Sequence, residues 1–193
     1  MVRTLLLFAM LFQGGAQTAL KPVIENDRVV VWDVSSSDVS RSTESQPLDA
    51  VVVSLPGSAE FLPKGTTPKV VEGKIAGRSI VIDLKDHPVA PIANTSGYPL
   101  AFPRPGAKKI LENARVMVWD YTWTPGVATP MHFHDKDVVV VFLEDGDLTS
   151  TTPDGKVVVN SFTSGMVRFN ARDRTHTETL IRGQQHAIIT ELK

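Results

Sequence analysis

The sequence predicts an all-β fold of two tandem, jelly-roll-like β-barrel halves, and three observations support this. Short runs of β-branched and aromatic residues recur along the chain, separated by Gly, Pro, Asp and Asn. The 193 residues include 13 glycines and 13 prolines, which favour many tight turns. A nine-residue segment occurs twice, as ENDRVVVWD at 25–33 and as ENARVMVWD at 112–120. The one helix-like stretch, KKILENA, is too short for the crossover helix of an α/β fold.

The internal repeat extends beyond this match and sets the expected domain boundaries. Two further pairs follow in the same order: DAVVVSLPG (49–57) with DVVVVFLEDG (137–146), and GRSIVIDLKD (77–86) with GMVRFNARD (165–173). We therefore predict two units, residues 20–106 and residues 107–193. The proline-rich stretch GYPLAFPRPG, residues 97–106, would join them.

The N-terminal segment, residues 1–19, is typical of a secretory signal peptide. Arg3 precedes an apolar stretch from Leu5 to Phe12, and Gly14 and Ala16 lie where a cleavage site is expected. The apolar stretch is much shorter than the ~20 residues of a membrane-spanning helix. We therefore expect a periplasmic or secreted protein whose mature form has no membrane span. The alternative is a buried N-terminal strand or helix.

The composition excludes several classes of function. The formal net charge is −1, so the chain has no basic field for nucleic acid. It contains no cysteine, which excludes disulfides, thiolate metal ligands and cysteine nucleophiles. It also lacks the P-loop, GxGxxG, GxSxG and HExxH motifs. The expected partner is a small-molecule ligand.

Three of the five histidines occupy positions from which they could hold a metal ion. His132 and His134 are two residues apart, so in a β-strand their side chains share one face. His176 begins a later strand candidate, after a turn at residues 171–174. Three neutral imidazoles that converge inside a small barrel would bind a divalent transition metal and leave positions open for water or substrate.

The second unit resembles the cupin family in two motifs. The first cupin motif runs from a glycine through HxH and a glutamate to a second glycine, and residues 126–146 match both glycines and the HxH pair. The second motif runs from a glycine to a histidine, and residues 165–176 match both. The resemblance covers residues 107–193 and implies a cupin-type barrel there. For the first unit, the resemblance is inferred only from the internal repeat.

The chain departs from the cupin pattern in ways that affect the metal site. Val138 and Val139 stand where the motif has its glutamate, and Ala171, Asp173 and Leu180 replace the proline, glycine and asparagine of the second motif. Some cupins, among them thiol dioxygenases, bind iron with three histidines and no glutamate. The resemblance therefore still implies a divalent metal (iron, manganese, zinc or nickel). A site without a ligand carboxylate is more positive and favours an anionic substrate.

Three carboxylates are available to replace the missing glutamate. Glu178 lies two residues after His176 and would share its strand face, either as a ligand or as a partner that orients an imidazole. Asp137 adjoins the vacant position, and Asp135 follows the histidine pair. The alternatives are solvated loop residues for the two aspartates, and for Glu178 a solvent-facing charge near Arg182.

Two further residues are accessory candidates, and no catalytic residue is assigned. Tyr121 could reach the cavity and donate a hydrogen bond. Arg168 lies within a strand candidate, and strand parity alone does not decide which way it points. If Arg168 points inward it would bind a carboxylate in a bidentate manner, and if it points outward it is a solubilising charge.

The first unit lacks the histidine pattern. No histidine lies between Trp32 and Leu55, and His87 has no partner histidine. We therefore predict a degenerate half that supports the fold. The family resemblance implies that it could act as an intramolecular counterpart of the dimer interface that many cupins form. The family is also compatible with a homodimer of the whole chain.

Three hypotheses for function follow. The first is an exported metalloenzyme, a dioxygenase or isomerase acting on a small oxygenated molecule, with an anionic substrate favoured by the charge of the site. The second is a non-catalytic protein that binds a small molecule or a metal in the barrel. The third is a purely structural double cupin without an ion. The missing glutamate weakens the first hypothesis, and the three histidines argue against the third.

Overall fold

The computed structural model describes residues 20–34, 46–55, 57–66 and 77–193. Within these ranges the chain consists of β-strands and turns without a helix, which confirms the all-β prediction. The described part accordingly offers no helical candidate for a membrane span. The predicted signal peptide, residues 1–19, lies outside the described residues.

The described part of the first unit forms one antiparallel sheet of five strands. They are β1 (Ile24–Glu25), β2 (Val29–Val34), β3 (Asp49–Ser54), β4 (Ser58–Leu62) and β5 (Ser79–Leu84). The spatial order is β1-β2-β5-β3-β4. The central strand β5 is buried along its whole length, as its apolar sequence SIVIDL favours.

The second unit contains nine strands in two antiparallel sheets. They are β6 (Ala107–Glu112), β7 (Val116–Thr122), β8 (His132–His134), β9 (Val138–Phe142), β10 (Gly146–Thr151), β11 (Val157–Phe162), β12 (Val167–Asn170), β13 (Arg174–Gly183) and β14 (His186–Leu192). One sheet has the order β12-β9-β14-β7-β6, and the other has the order β11-β10-β13-β8. The two sheets face each other as in a jelly roll.

Two apolar cores lie on opposite faces of the five-stranded sheet of the second unit. Val139, Val141 and Ile188 belong to the core shared with the sheet of the first unit. Val140 and Ile189, on the same strands but on the other face, belong to the core inside the barrel. Since neighbouring residues of a strand point to opposite faces, the unbroken apolar run of β9 is explained by burial on both sides.

The two five-stranded sheets share one arrangement, in which β1, β2, β5, β3 and β4 correspond to β6, β7, β14, β9 and β12. The structural counterpart of β5 is therefore β14, and the predicted match of residues 77–86 with 165–173 is wrong. Side chains support this correspondence. Trp32 Nε1 donates to Asp83 at 2.8 Å, and Trp119 Nε1 donates to Glu191 at 2.8 Å from the matching strand.

Within the described residues, the first unit shows no counterpart of the hairpin β10–β11 of the second unit. In the second unit the hairpin β10–β11 lies between β9 and β12. In the first unit only residues 55–57 separate the corresponding strands β3 and β4. Three residues suffice for a tight hairpin turn but not for two more strands, so the hairpin β10–β11 is an addition of the second unit at this position.

The segment KKILENA was also misread as a helical turn, since its first part belongs to strand β6. Lys109 and Glu112 form an ion pair at the i, i+3 spacing that helices also use. A register shift between Lys109 and Leu111 disturbs the alternation of β6, and both Ile110 and Leu111 pack against the core shared with the first unit. A strand with such a bulge loses the period of two that identifies strands in sequence.

The predicted linker, residues 97–106, runs beside strand β8. Ala101 N donates to Phe133 O, and Phe133 N donates to Pro99 O, both at 2.8 Å. The linker therefore contacts the strand that carries the histidine pair and brings its own side chains to the barrel.

Candidate metal centre

The three predicted histidines meet inside the barrel of the second unit. Strand β8 pairs with β13 so that His176 lies directly opposite His132, and His134 shares the face of His132. All three side chains are buried, and their candidate ligand atoms lie within 4.8 Å of one another. His134 Nε2 and His176 Nε2 are 3.3 Å apart. Two nitrogens bound to one ion through bonds of ~2.1 Å would lie about 3–3.5 Å apart, so this spacing fits shared coordination.

The protonation of the histidines also fits a metal site. His132 Nδ1 lies 2.7 Å from Pro130 O, and since a carbonyl only accepts, Nδ1 must carry the proton and Nε2 the free lone pair. Burial lowers the pKa of His132 to about 4 and also lowers the pKa of His134 and of His176. The three rings are therefore neutral at physiological pH, which is the form that binds metals.

The turn that leads into β13 explains how the second motif works without its glycine. Asp173 has a φ of 65°, in the left-handed region that favours glycine and that aspartate tolerates better than most residues. Its backbone N donates to His134 O at 2.8 Å. The turn is thus held against the strand of the histidine pair and directs the chain toward His176.

Glu178 lies beside the histidines but has other partners. Its Oε1 is 3.9 Å from His176 Nε2, while its Oε2 accepts from Trp123 Nε1 at 3.2 Å and lies 3.6 Å from Arg104 Nη2. Burial raises the pKa of Glu178, but the positive charge of Arg104, together with the hydrogen bond from Trp123, outweighs this, so the pKa lies below its ordinary value. Glu178 is therefore an ionised neighbour of the site.

The two aspartates proposed as alternative ligands point elsewhere. Asp137 Oδ2 forms a salt bridge with Arg28 at 2.7 Å, and Asp137 Oδ1 accepts from Arg172 N at 2.9 Å. Asp135 pairs with Lys136 at 2.7 Å. Within the described ranges, only the three histidines form a group with metal-binding geometry.

Arg104, which the sequence reasoning missed, lies in contact with the site. It comes from the linker and is 9% exposed. Its Nη1 donates to His132 Nε2 at 3.2 Å, and its guanidinium lies 4.0 Å from the ring centroid of Tyr121. Its Nε is buried and has no hydrogen-bond partner among the described residues. No linear motif marks Arg104, because it precedes His132 by 28 residues in an irregular segment.

The two accessory candidates differ in their positions. Tyr121 packs beneath Arg104 and meets Trp123 edge-to-face at 4.7 Å, and it is not among the residues that line the cavity. Arg168 does line the cavity, from an exposed position at its mouth. Its Nη1 donates to Asn160 Oδ1 at 3.0 Å. Arg168 therefore borders the cavity while it remains exposed to solvent.

A cavity of about 90 Å³ adjoins the histidines. Its charged and ionisable lining groups are three arginines, one glutamate and two of the histidines: Arg104, Arg168, Arg174, Glu178, His134 and His176. Four aromatic side chains form much of the remaining wall: Phe102, Trp123, Phe142 and Phe162. The cavity therefore combines an apolar wall with an excess of positive charge beside three neutral imidazoles.

Comparisons with known proteins give partial matches. No protein-family model matches the chain. A stretch of 60 residues is 42% identical to the beta-alanine degradation protein BauB of Pseudomonas aeruginosa and covers 31% of this chain. The chain spans 59% of the length of this curated relative.

Solved structures with related strand arrangements include two cupins. A cupin domain from Bordetella pertussis Tohama I is 29% identical with a TM-score of 0.42, covering 47% of this chain and 97% of that one. A cupin 2 conserved barrel domain protein from Leptotrichia buccalis is 10% identical with a TM-score of 0.47, covering 92% of this chain and 90% of that one. Two facing antiparallel sheets and buried histidines at the positions of both cupin motifs are the features in which the chain resembles the cupin family.

Proposed function

We propose that the protein binds one divalent transition metal through His132, His134 and His176 and uses it to hold and transform a small carboxylate in the adjoining cavity. The observation that carries this proposal is the meeting of three buried, neutral imidazoles beside a cavity lined by three guanidinium groups. A bound ion of this kind supplies Lewis acidity or, if redox-active, activates dioxygen. Imidazole ligands suit iron, zinc and nickel, and manganese remains a candidate.

The charge balance of the cavity supports an anionic ligand. Arg104, Arg168 and Arg174 line it together with the single carboxylate of Glu178. Burial lowers the pKa of Arg174, which indicates that its charge is poorly solvated there. A divalent ion held only by neutral imidazoles would add further positive charge to this space. An anion that contacts both the ion and a guanidinium would compensate for it.

The size of the cavity and the name of the curated relative narrow the ligand further. A protein cavity of ~150 Å³ binds benzene, so a cavity of about 90 Å³ suits a molecule with very few non-hydrogen atoms. The Pseudomonas relative is named for beta-alanine degradation, and β-alanine is a small carboxylate. A short-chain carboxylate is therefore the first substrate class to test.

The residues of the chain have separate roles in this proposal. Arg174 and Arg168 attract and orient the carboxylate, and Phe142 and Phe162 pack against its apolar part and exclude water. Glu178 accepts a hydrogen bond from Trp123 and holds that side of the cavity in place. The activity would be that of a dioxygenase or isomerase.

A non-catalytic binding protein is the second candidate, and one observation favours it. Among the described residues, Glu178 is the only carboxylate that lines the cavity, and it is engaged by Trp123 and lies close to Arg104. An acid held in this way is poorly placed to exchange a proton with a substrate.

Export of the protein is also part of the proposal, and it depends on residues 1–19 alone.

Metal analysis of protein purified without a nickel column tests the proposal. We expect about one equivalent of a transition metal in the wild type and none in His132→Ala or His176→Ala. His186→Ala serves as the matched control, because His186 pairs with Asp120 at 2.7 Å and does not line the cavity. It should retain the metal.

The outcomes separate the three hypotheses. If the wild-type protein takes up no transition metal even after reconstitution, only the third hypothesis remains, a purely structural double cupin without an ion. If metal is present, oxygen uptake with iron(II) and a panel of short carboxylates, together with an assay for isomerised product, separates an enzyme from a binding protein.

A further inference from the structure

We infer that Arg104 couples the metal site to the carboxylate site, so that a metal ion and a small carboxylate bind cooperatively. This inference rests on the proposed function and adds a specific role for one residue to it. The three steps of the argument concern the lone pair of His132, the surroundings of the guanidinium and the face of Arg104 that lines the cavity.

The first step is that Arg104 and a metal ion compete for one lone pair. His132 gives its Nδ1 proton to Pro130 O, so the lone pair of the ring is on Nε2. Arg104 Nη1 donates to this atom at 3.2 Å. The ion needs the same lone pair for a coordinate bond. The Arg104–His132 hydrogen bond and metal binding through His132 therefore exclude each other.

The second step is that Arg104 is poorly solvated after it loses His132. Its side chain is only 5% exposed, and aromatic rings cover it, with Tyr121 at 4.0 Å and Phe102 at 4.8 Å from the guanidinium carbon. The nearest carboxylate in the described chain is Glu178, at 3.6 Å from Nη2, and it already accepts from Trp123. A buried cation beside a metal ion is costly unless another anion is present.

The third step is that the guanidinium is open to the cavity. Arg104 and Arg174 line the same space as His134 and His176. A carboxylate there can accept hydrogen bonds from Arg104 and lie next to the ion, because a guanidinium matches the two oxygens of a carboxylate. The carboxylate thus replaces the acceptor that Arg104 loses when the ion binds.

Linkage makes the effect reciprocal. If the ion frees Arg104 to bind a carboxylate, the carboxylate must strengthen binding of the ion by the same factor. Couplings between two such sites are typically 5–150-fold, and we expect about 10-fold here. If Arg104 were merely structural, its replacement would leave the dependence of metal affinity on a carboxylate unchanged.

The test is titration of the metal-free protein with cobalt(II) by calorimetry, in excess propionate or in excess propionamide at equal ionic strength. Propionamide has the same shape as propionate but no charge. In the wild type, cobalt(II) should bind about 10-fold more tightly in propionate. In Arg104→Met the two affinities should agree within about twofold. In propionamide, Arg104→Met should bind cobalt(II) more tightly than the wild type does, because the competing cation is absent.

Arg182→Met is the matched control, since Arg182 pairs with Asp147 at 2.6 Å on the surface and does not line the cavity. It should keep the coupling factor of the wild type. An Arg104→Met protein that retains the full propionate effect would overturn the inference, and so would a wild type whose cobalt(II) affinity is the same in both solutions. The second of these outcomes needs no variant, so the inference can be overturned even if Arg104→Met does not fold. Failure of the wild type to bind cobalt(II) in either solution would instead refute the proposed function and the coupling with it.

Discussion

Arg28 and Asp137 form a buried salt bridge between the two units, with 2.7 Å between Nη1 and Oδ2, and the pair has a reciprocal counterpart. Arg115 of the second unit contacts Asp49 of the first at 3.0 Å. The two arginines occupy the same place in the repeated nine-residue segment, and the two aspartates lie at the starts of the corresponding strands β9 and β3. Each unit therefore gives an arginine to the aspartate of the other, as the subunits of a twofold-symmetric dimer do.

Backbone contacts of the two arginines repeat the same relationship. Arg28 Nη2 donates to Lys193 O at 3.1 Å, and Arg115 Nη2 donates to Lys85 O at 2.9 Å. The two lysines directly follow the corresponding strands β14 and β5. The first unit thus covers one face of the barrel through a pseudo-twofold interface, which is the arrangement that an intramolecular counterpart of a dimer interface requires.

The two aspartates should differ in their contribution to stability. The side chains of Arg28 and Asp137 are 10% and 9% exposed, whereas those of Arg115 and Asp49 are 30% and 24% exposed. Asp137→Asn leaves a buried cation unpaired and should lower the free energy of unfolding by ~3 kcal/mol. Asp49→Asn should cost less than ~1 kcal/mol, since Arg115 keeps other acceptors. Urea unfolding at neutral pH measures both, and equal losses would contradict the asymmetry.

The histidine site could be predicted because it depends on local rules. His132 and His134 are two residues apart, and the period of a strand is two, so they had to share a face once β8 formed. His176 could be assigned because it begins a later strand candidate after a turn, and its position also matches the histidine of the second cupin motif. Short strands and abundant turn residues likewise fixed the all-β class.

What the sequence could not reveal depends on long-range packing. Arg104 reaches His132 because the linker runs beside β8. The linker is irregular, so its sequence has no periodic pattern from which this course could be predicted. The partner of Asp137 is Arg28 of the other unit, 109 residues away. The wrong match for β5 arose because a constant offset assumes equal spacing, while the second unit carries the additional β10–β11 hairpin between corresponding strands.

Addition and removal of metal should change thermal stability. A ligand that binds only the folded state at 100 times its dissociation constant stabilises it by about 2.7 kcal/mol. For a chain of this size that corresponds to an increase in Tm of roughly 5–10 °C, which a chelator should reverse. In a thermal melt followed by circular dichroism, the Tm of His176→Gln should neither rise when metal is added nor fall when a chelator removes it. An equal shift in this variant would indicate metal binding elsewhere.

The buried carboxyl of Glu191 should make the protein lose stability as the pH rises above about 4.5. Burial raises the pKa of Glu191 above its ordinary value, although the hydrogen bond from Trp119 lowers it in part. A carboxyl whose pKa is raised by folding stabilises the fold below its unfolded pKa, near 4.5, and this contribution is lost as pH rises through the folded value. The free energy of unfolding of Glu191→Gln should therefore rise relative to that of the wild type between pH 4.5 and pH 8.

Urea unfolding of both proteins at these two pH values measures the difference. The glutamine keeps an oxygen that accepts from Trp119 Nε1, so loss of that hydrogen bond does not confuse the result. A difference between the two proteins that stays constant with pH would show that Glu191 does not titrate differently in the folded and unfolded states.

The metal-free protein should lose stability in acid because its histidines are buried in the neutral form. Burial lowers the pKa of His132 from 6.5 to about 4, so an unfolded chain takes up this proton at a higher pH than the folded one. The contribution to stability is present above pH 6.5 and is lost as pH falls toward 4, by on the order of 3 kcal/mol. In the presence of a chelator, the free energy of unfolding of His132→Gln should therefore fall less steeply between pH 7.5 and pH 4.5 than that of the wild type. If urea titrations give the two proteins the same dependence of unfolding free energy on pH, His132 is solvated in the folded state. A solvated ring would also be a weaker ligand than the neutral, buried imidazole on which the metal site depends.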